Sequence, residues 1–589
     1  MANPDWATTT HLVDAAEVRA EVALLPLFTG RVVIEDLLLA QAKVGLEQEG
    51  DRATWRFGPS SDQESIIRLK RVAIDQGHIT YRHPDENTAL EIDVEGDLGR
   101  TGELQLTGKG RFRGHPVQAV INAPAIVPSP DTPIEMTAKG TVGSIRVALA
   151  GSVRAAEQDG IDVRLDLSGE SLADLEELVP MNLPDTPPYR IRSRVRNPGG
   201  VWTLDDLEGK VGDSDLRGTL TYDRGQKTPV LRADLQSRLL DFDDLGPLVG
   251  APPKTTPGET ASARQKSKAQ ALDTQERVLP DRPFKVKQWP RMNADVRLTA
   301  KRIQRPGALP IEGLSAQHQI QDGQLALKPL KFDFAGGEVS LTVLLDGRSE
   351  PVQGKTSIDF SKLQLARLFP KVKQMDNSKG LIYGKAELAG RGNSMATLLG
   401  TSTGGLSLLV NGGTISNLVL ELVGLDVAEV VRIFATRDPQ VQLRCAAADF
   451  EVKEGIATAR TFVVDTVDTV VGASGKIDFK REFVDLVVHP APKDPSPFAL
   501  RTPLIVSGPF KDLGVKPEIG PLAARGAAAA LLAAVNPLLA LVPFIETGPG
   551  KDSDCGKLAD EVRLSTTPGG RNEAQANAAA EKNKAQRRR

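Results

Sequence analysis

The chain has 589 residues with 73 lysines and arginines against 76 aspartates and glutamates, a formal charge of −3. That balance argues against a nucleic-acid partner, whose surface calls for a basic excess. The apolar fraction of 40%, the aromatic fraction of only 4%, and 54 glycines with 40 prolines fit many short strands and turns better than disorder.

Residues 1 to 22 hold no basic, apolar and small-residue succession, so no signal peptide is read there, and no apolar run near the N-terminus is long enough to span a bilayer. In the first block, Val18 to Leu25 reads as a strand that Pro26 ends, because proline cannot donate to a ladder. Residues 60 to 250 alternate apolar and polar side chains between polar turns, as in Leu104-Gln-Leu and Ile161-Asp-Val-Arg-Leu. The apolar stripe of Leu172, Leu175, Leu178 and Val179 predicts a short helix over Ser171 to Val179, and Leu239 to Val249 looks similar. From Ala251 to Pro283 the apolar pattern is lost, which predicts a flexible linker or long surface loop.

The clearest stretch runs from Asp322 to Asp346. Leu325 and Leu327, then Leu330, Phe332 and Phe334, then Val339, Leu341, Val343 and Leu345 all recur at a step of two, the mark of strands with one apolar face. Gly336-Gly337 supplies the positive φ of a tight hairpin turn, so three short strands in a meander are expected. With Gly200 laid on Gly323, Trp202, Leu204, Leu207 and Val211 fall on Leu325, Leu327, Leu330 and Phe334. From Gly455, Ala457, Ala459, Phe462 and Val464 continue the same pattern, and Gly77 is a weaker fourth opening. Units that recur in this way need their neighbours to bury a face. A second short helix is expected over Ser361 to Phe369.

Chemical motifs are sparse. The six histidines have no metal-ligand spacing and read as surface residues. Gly108 to Gly114 misses the dinucleotide fingerprint by one residue, Thr401 to Gly405 lacks the lysine of a phosphate loop, and neither Ser144 nor Ser507 sits in a nucleophile elbow. Asp552 and Asp554 beside Cys555 read as a solvated turn rather than a cation site. With only two cysteines there is no disulfide framework and no thiolate metal cage, though two suffice for one bridge. No catalytic residue, metal or cofactor is assigned.

The block from Val18, with Leu24, Leu25, Pro26, Leu27, Gly30 and Arg31, then Val44 to Glu47, Gly50-Asp51 and Trp55 to Gly58, resembles the opening of AsmA-family proteins. Gly412 to Leu422, Arg444 to Phe450, Val464 to Thr469, Pro490 to Leu504 and Ile545 to Cys555 are similar, in order and wording, to that family's C-terminal domain. The resemblance covers about 18–58 and 380–560; the middle agrees in style only. It implies a mainly β fold: an elongated, curved antiparallel groove of repeated strands with an apolar floor and a few short helices capping the ends. At about 15 residues per strand and turn, some 30 strands would stack to about 140 Å at ~4.8 Å spacing. The expected organisation is an N-terminal AsmA-like β region (1–130), a middle β repeat region (131–250), the linker or loop (251–283), a C-terminal AsmA-like β repeat region (284–520), an Ala-rich helical end (521–563) and a disordered polar tail (564–589). The ordinary β-sandwich, with two apolar faces covering each other, stays open as the alternative fold.

For function, the resemblance implies a non-enzymatic envelope protein in the periplasm of a Gram-negative bacterium. It would be associated with the inner-membrane surface or with membrane proteins there, its anchoring helix absent from this chain. It would bind phospholipid acyl chains and conduct them between inner and outer membrane in support of outer-membrane biogenesis. The rival reading is a scaffold or regulator that assists outer-membrane protein assembly without carrying lipid. Leu325, Leu327, Leu330, Phe332, Phe334, Val339 and Leu341 are the candidate lipid-contacting residues. The implied compartment is oxidising, so Cys445 and Cys555 are expected to form a disulfide. Gly526 to Ile545 is twenty residues without a charge, but Asn536-Pro537 and Pro543 interrupt it. Two short helices are expected there, closing one end of the β structure or lying at a membrane surface. A bridge at Cys555 and a single membrane span at this run exclude each other.

Overall fold

A computed structural model describes residues 2–23, 32–50, 52–55, 67–69, 72–96, 102–124, 133–154, 160–177, 185–245, 260–262, 264–267, 277–304, 311–368, 375–416, 440–493, 502–518, 520, 523, 527–528 and 550–566. The fold is mainly β, as the sequence predicts, with thirty strands among the described residues and only short helices. Two units separate by their internal contacts, Met1–Gln236 with Pro253–Lys268, and Ser237–Pro252 with Ala269–Arg589.

In the first unit the eighteen-residue strand Val32–Glu49 pairs antiparallel with Val13–Asp14 and Glu17–Val22. It also pairs parallel with Ile67–Leu69 and Val72–His83. From Val72–His83 each strand bonds antiparallel to the next, through Thr88–Gly96, Glu103–Phe112, His115–Pro124, Ile134–Val142, Ile145–Val153, Ile161–Gly169, Tyr189–Arg196, Val201–Val211 and Ser214–Asp223 to Val230–Asp241. In the second unit the run goes from Asn293–Gln304 through Ile311–Gln321, Gln324–Phe334, Gly337–Asp346, Gln353–Gln364, Leu381–Arg391, Thr403–Val410, Gln440–Lys453, Ile456–Thr466, Thr469–Asp478, Phe483–Pro492 and Leu504–Pro509 to Gly514–Pro517. Among the described residues no pairing joins the first strand of a run to its last, so neither run closes into a barrel.

The hairpin chemistry is repetitive. Asp322-Gly323 has φ of 48° and 82°, Ala335-Gly336 has 47° and 76°, and Glu454-Gly455 has 48° and 78°. These are two-residue turns with both φ positive, whose twist matches that of the flanking strands. The hairpin expected at Gly336-Gly337 thus turns one residue earlier, and Gly337 opens the next strand. The three strands expected between Asp322 and Asp346 are two. Lys328-Pro329 does not end a strand; it forms a bulge between Leu327 and Leu330 inside Gln324–Phe334, a place where proline's missing N–H does no harm. The same register shift falls between Leu204 and Leu207, the positions the repeat alignment matches to Leu327 and Leu330. Gly77, by contrast, lies inside the strand Val72–His83 and opens no hairpin.

Helix Leu172–Glu177 forms within the stretch expected to be helical, and Leu175 packs with Ile145 and Tyr189. At Ser361 to Phe369 the strand instead runs on to Gln364 before one turn, Leu365–Leu368. The positive φ of Lys362 makes the bulge that keeps Leu363 in register with Ile382. Helix Met395–Gly400 is capped by Ser394, whose Oγ accepts from the Thr397 N–H at 3.2 Å while Thr397 Oγ1 accepts from the Ser394 N–H at 2.9 Å. In the stretch expected as a flexible linker, the described residues are held. In the first unit Gln265 is buried and Arg264 pairs with Asp174 at 2.6 Å. In the second unit Ala396 N–H donates to the Pro280 carbonyl at 2.9 Å.

Candidate functional site

The register of the second unit sorts its side chains onto two unlike faces. Leu298, Ala316, Leu330, Leu341, Ile358, Ala386, Leu406, Phe450 and Ala459 stand directly opposite one another, strand after strand. One row away, Phe332, Val339, Phe360, Gly384, Leu408, Ala448 and Phe462 do the same. The residues between them point the other way and give Ser315, Lys331, Ser340, Asp359, Lys385, Ser407, Asp449 and Thr461. Successive side chains on a strand face opposite sides, so these two adjoining rows are apolar on one face of the sheet and are backed by a polar row on the other.

The bulges keep that apolar face whole. Leu325 and Leu327 have odd numbers, and Leu330, Phe332 and Phe334 even ones. The bulge at Lys328-Pro329 restores them to one side, where they meet Leu345, Val343, Leu341, Val339 and Gly337. The structure therefore brings all seven candidate residues, Leu325, Leu327, Leu330, Phe332, Phe334, Val339 and Leu341, onto a single face, each half-buried. Leu330 and Phe332 pack against Leu240, Ala300, Ile303 and Leu314; Leu325 packs against Trp289, Leu345, Val352 and Leu398. Gly384 is required in its row, because a Cβ there would lie 2.4 Å from the Phe360 ring.

The first unit repeats the design with different residues. Ile79, Ile92, Gly108, Ala119, Gly140, Val147, Leu167, Ile191, Gly209 and Leu216 form one row of direct partners. On the reverse, Thr80, Glu91, Lys109, Gln118, Thr141, Arg146, Ser168, Arg190, Lys210 and Asp215 are aligned. In Glu103–Phe112, His115–Pro124 and Ile134–Val142 the apolar side is half-buried at every position and the other side is exposed. In a sandwich the apolar face is sealed by a second sheet; here it stays partly open.

His318 departs from the surface reading of the histidines. It stands on the apolar face of the second unit between Val296 and Leu327, and burial pushes its imidazole below the ordinary histidine value. His78 matches the surface reading: it is exposed and meets Asp93 Oδ1 at 2.7 Å. Trp55 is 38% exposed and tilts against Tyr81 with ring centroids 6.1 Å apart. Leu24, Leu25, Pro26, Leu27, Gly30, Arg31 and Phe57 lie outside the described residues, as does almost all of Gly526 to Ile545.

The C-terminal helix Cys555–Thr566 sits on the polar side, not on the apolar floor. Leu558, Ala559 and Val562 pack on Leu409 and Ala447, which alternate with the floor residues Leu408 and Ala448. A disulfide joins Cys445 to Cys555, with Cα atoms 5.9 Å apart. Beside it Asp465, wholly buried, accepts from Lys493 Nζ at 2.6 Å, Ser553 N–H at 2.7 Å and Arg444 at 3.2 Å. Cys445, Asp465 and Cys555 are close enough to suggest metal ligands, but the two sulfurs are bonded to each other and the carboxylate is already held by cations. Asp552, considered above as a cation ligand, takes Lys493 Nζ at 2.6 Å and Arg444 at 2.5 Å. Among the described residues no helix is long and apolar enough to cross a membrane.

The sequence model of the AsmA family matches residues 136–462, which takes in the middle region where the resemblance above was one of style. The chain is also 32% identical over 601 residues to the AsmA family protein YhjG of Escherichia coli (strain K12), covering 96% of this chain and 88% of that one. More than half of the chain matches the family, and the relative matches nearly from end to end: the chain belongs to the AsmA family.

Proposed function

We propose that the apolar face holds phospholipid acyl chains and lets them pass along it, in an envelope protein that carries lipid between the inner and outer membrane and catalyses no reaction. The observation that carries this reading is the row from Leu298 to Ala459, apolar at every strand and half-buried rather than sealed at every member but Ala386 and Phe450. Each methylene taken out of water contributes about 0.8 kcal/mol, so two acyl chains along such a floor are retained without a specific polar contact. A floor of uniform chemistry also offers no deep well in which a chain would stop. Family membership supports an envelope role, and the periplasmic side is the compartment in which the Cys445–Cys555 bridge forms and persists.

The test is organic extraction and mass spectrometry of protein purified under mild conditions. Phospholipid in stoichiometric amounts is the expected result. Protein repeatedly free of lipid would favour the scaffold that assists outer-membrane protein assembly.

A further inference from the structure

The polar side of the first unit is not uniform. Strands Ile134–Val142, Ile145–Val153, Ile161–Gly169 and Tyr189–Arg196 place Lys139, Arg146, Arg164 and the four arginines 190, 192, 194 and 196 on the face opposite the apolar rows. Among the described residues of these four strands the same face holds only Glu135, Asp162 and Asp166, so seven basic groups stand against three acidic ones in a chain whose whole charge is −3. Counting Asp205 on the next strand, which takes Arg196 at 2.5 Å, the patch keeps an excess of three.

Its ion pairs are arranged so that the excess faces water. Asp166 is shared by Arg190 at 2.6 Å and Arg192 at 3.2 Å, and Asp162 takes Arg194 at 2.6 Å. Arg190, Arg192 and Arg194 remain more than half exposed, and among the described residues Lys139, Arg146 and Arg164 form no ion pair. Lys139, Arg146 and Arg190 line a shallow depression of about 500 Å³. Val120, directly opposite Lys139, is an exposed apolar side chain at its rim. Four strands at ~4.8 Å and six residues at ~3.3 Å give a flat field of about 15 by 20 Å.

We propose that this field docks the first unit on the anionic surface of a phospholipid bilayer. Spread, exposed guanidinium groups suit phosphate-bearing headgroups, and a basic face with an apolar residue among the charges suits the membrane interface. The proposal does not rest on the cargo reading, since it uses the opposite face of the sheet.

The test is co-sedimentation of the full chain with phosphatidylglycerol-containing vesicles against pure phosphatidylcholine vesicles. Binding is expected only to the anionic vesicles, falling steeply as salt is raised. The triple variant Lys139→Gln, Arg146→Gln, Arg164→Gln is expected to bind about 100-fold more weakly, from about fivefold per basic residue near an anionic surface. Ser315→Asp, at an exposed serine on the polar face of the other unit, is expected to bind the vesicles as the parent does. Equal binding to both vesicle types, salt-independent binding by the unmodified chain, no binding at low salt, or an unchanged triple variant would overturn the proposal.

Discussion

Placing a carboxylate on the apolar floor tests the two-faced sheet at one residue. Leu341 stands between Leu330 and Ile358 in the long apolar row, so Leu341→Asp puts a charge where an acyl chain crosses. One strand width of ~4.8 Å spans about four methylenes. An acyl chain displaced from that width by the hydrated carboxylate forfeits about 3 kcal/mol at ~0.8 kcal/mol each, roughly a 200-fold loss in retention. Ser315→Asp is the matched control. Ser315 is exposed on the reverse face between Thr299 and Lys331, so the same charge there meets water and a cation. The assay is lipid per protein by mass spectrometry after identical purification, with circular dichroism to show that both variants fold. Loss of lipid in Leu341→Asp with retention in Ser315→Asp is the expected pair of results. A folded Leu341→Asp that keeps its full complement of lipid would refute the reasoning.

Three further outcomes follow from other parts of the chain. Replacing Cys445 and Cys555 by serine opens a closed loop with a sequence separation of 110; urea unfolding should show a loss of up to about 4–5 kcal/mol on the chain-entropy account, whereas an unchanged midpoint would contradict it. Glu482 is buried, and although burial alone would raise its carboxyl, the Val278 and Leu279 N–H groups and Arg277 hold it below the usual glutamate range. A lowered folded pKa stabilises above the unfolded value of ~4.3 and is lost as pH falls through the folded pKa. Glu482→Gln should therefore cost about 1–3 kcal/mol at pH 7, and the gap to the parent should close in acid; a gap that is constant with pH would argue against the ionised pair. His318 is held neutral by burial, so the unfolded chain takes up a proton first as pH drops below ~6.5. His318→Leu should flatten the stability profile between neutrality and pH ~5, and an unaltered slope would show that another group sets it.

Much of this fold was legible because a strand's period of two survives in the sequence wherever one face is apolar. The step from Leu325 to Leu345 and the match of Gly200 with Gly323 each correspond to a feature of the structure, down to the shared bulge position. Lys328-Pro329 misled because proline more often ends a strand than sits in a bulge. The parallel pairing of Val32–Glu49 with Val72–His83 left no local trace, since register between distant strands is set by tertiary packing. Nor did sequence show that Arg277 to Leu279, in a stretch without apolar period, are fixed by the buried Glu482 more than two hundred residues away. The basic field on the first unit was hidden for another reason: its charges come from four strands and only the register puts them on one side.

The most direct measurement of the central claim is a photo-crosslinking scan along Gly337–Asp346 in living cells. A photoreactive residue at Val339 or Leu341 faces the floor, and one at Ser340, between them, faces away. Lipid adducts at positions 339 and 341 with none at 340 are the predicted result. Adducts at none of the three, or at all three alike, would contradict it.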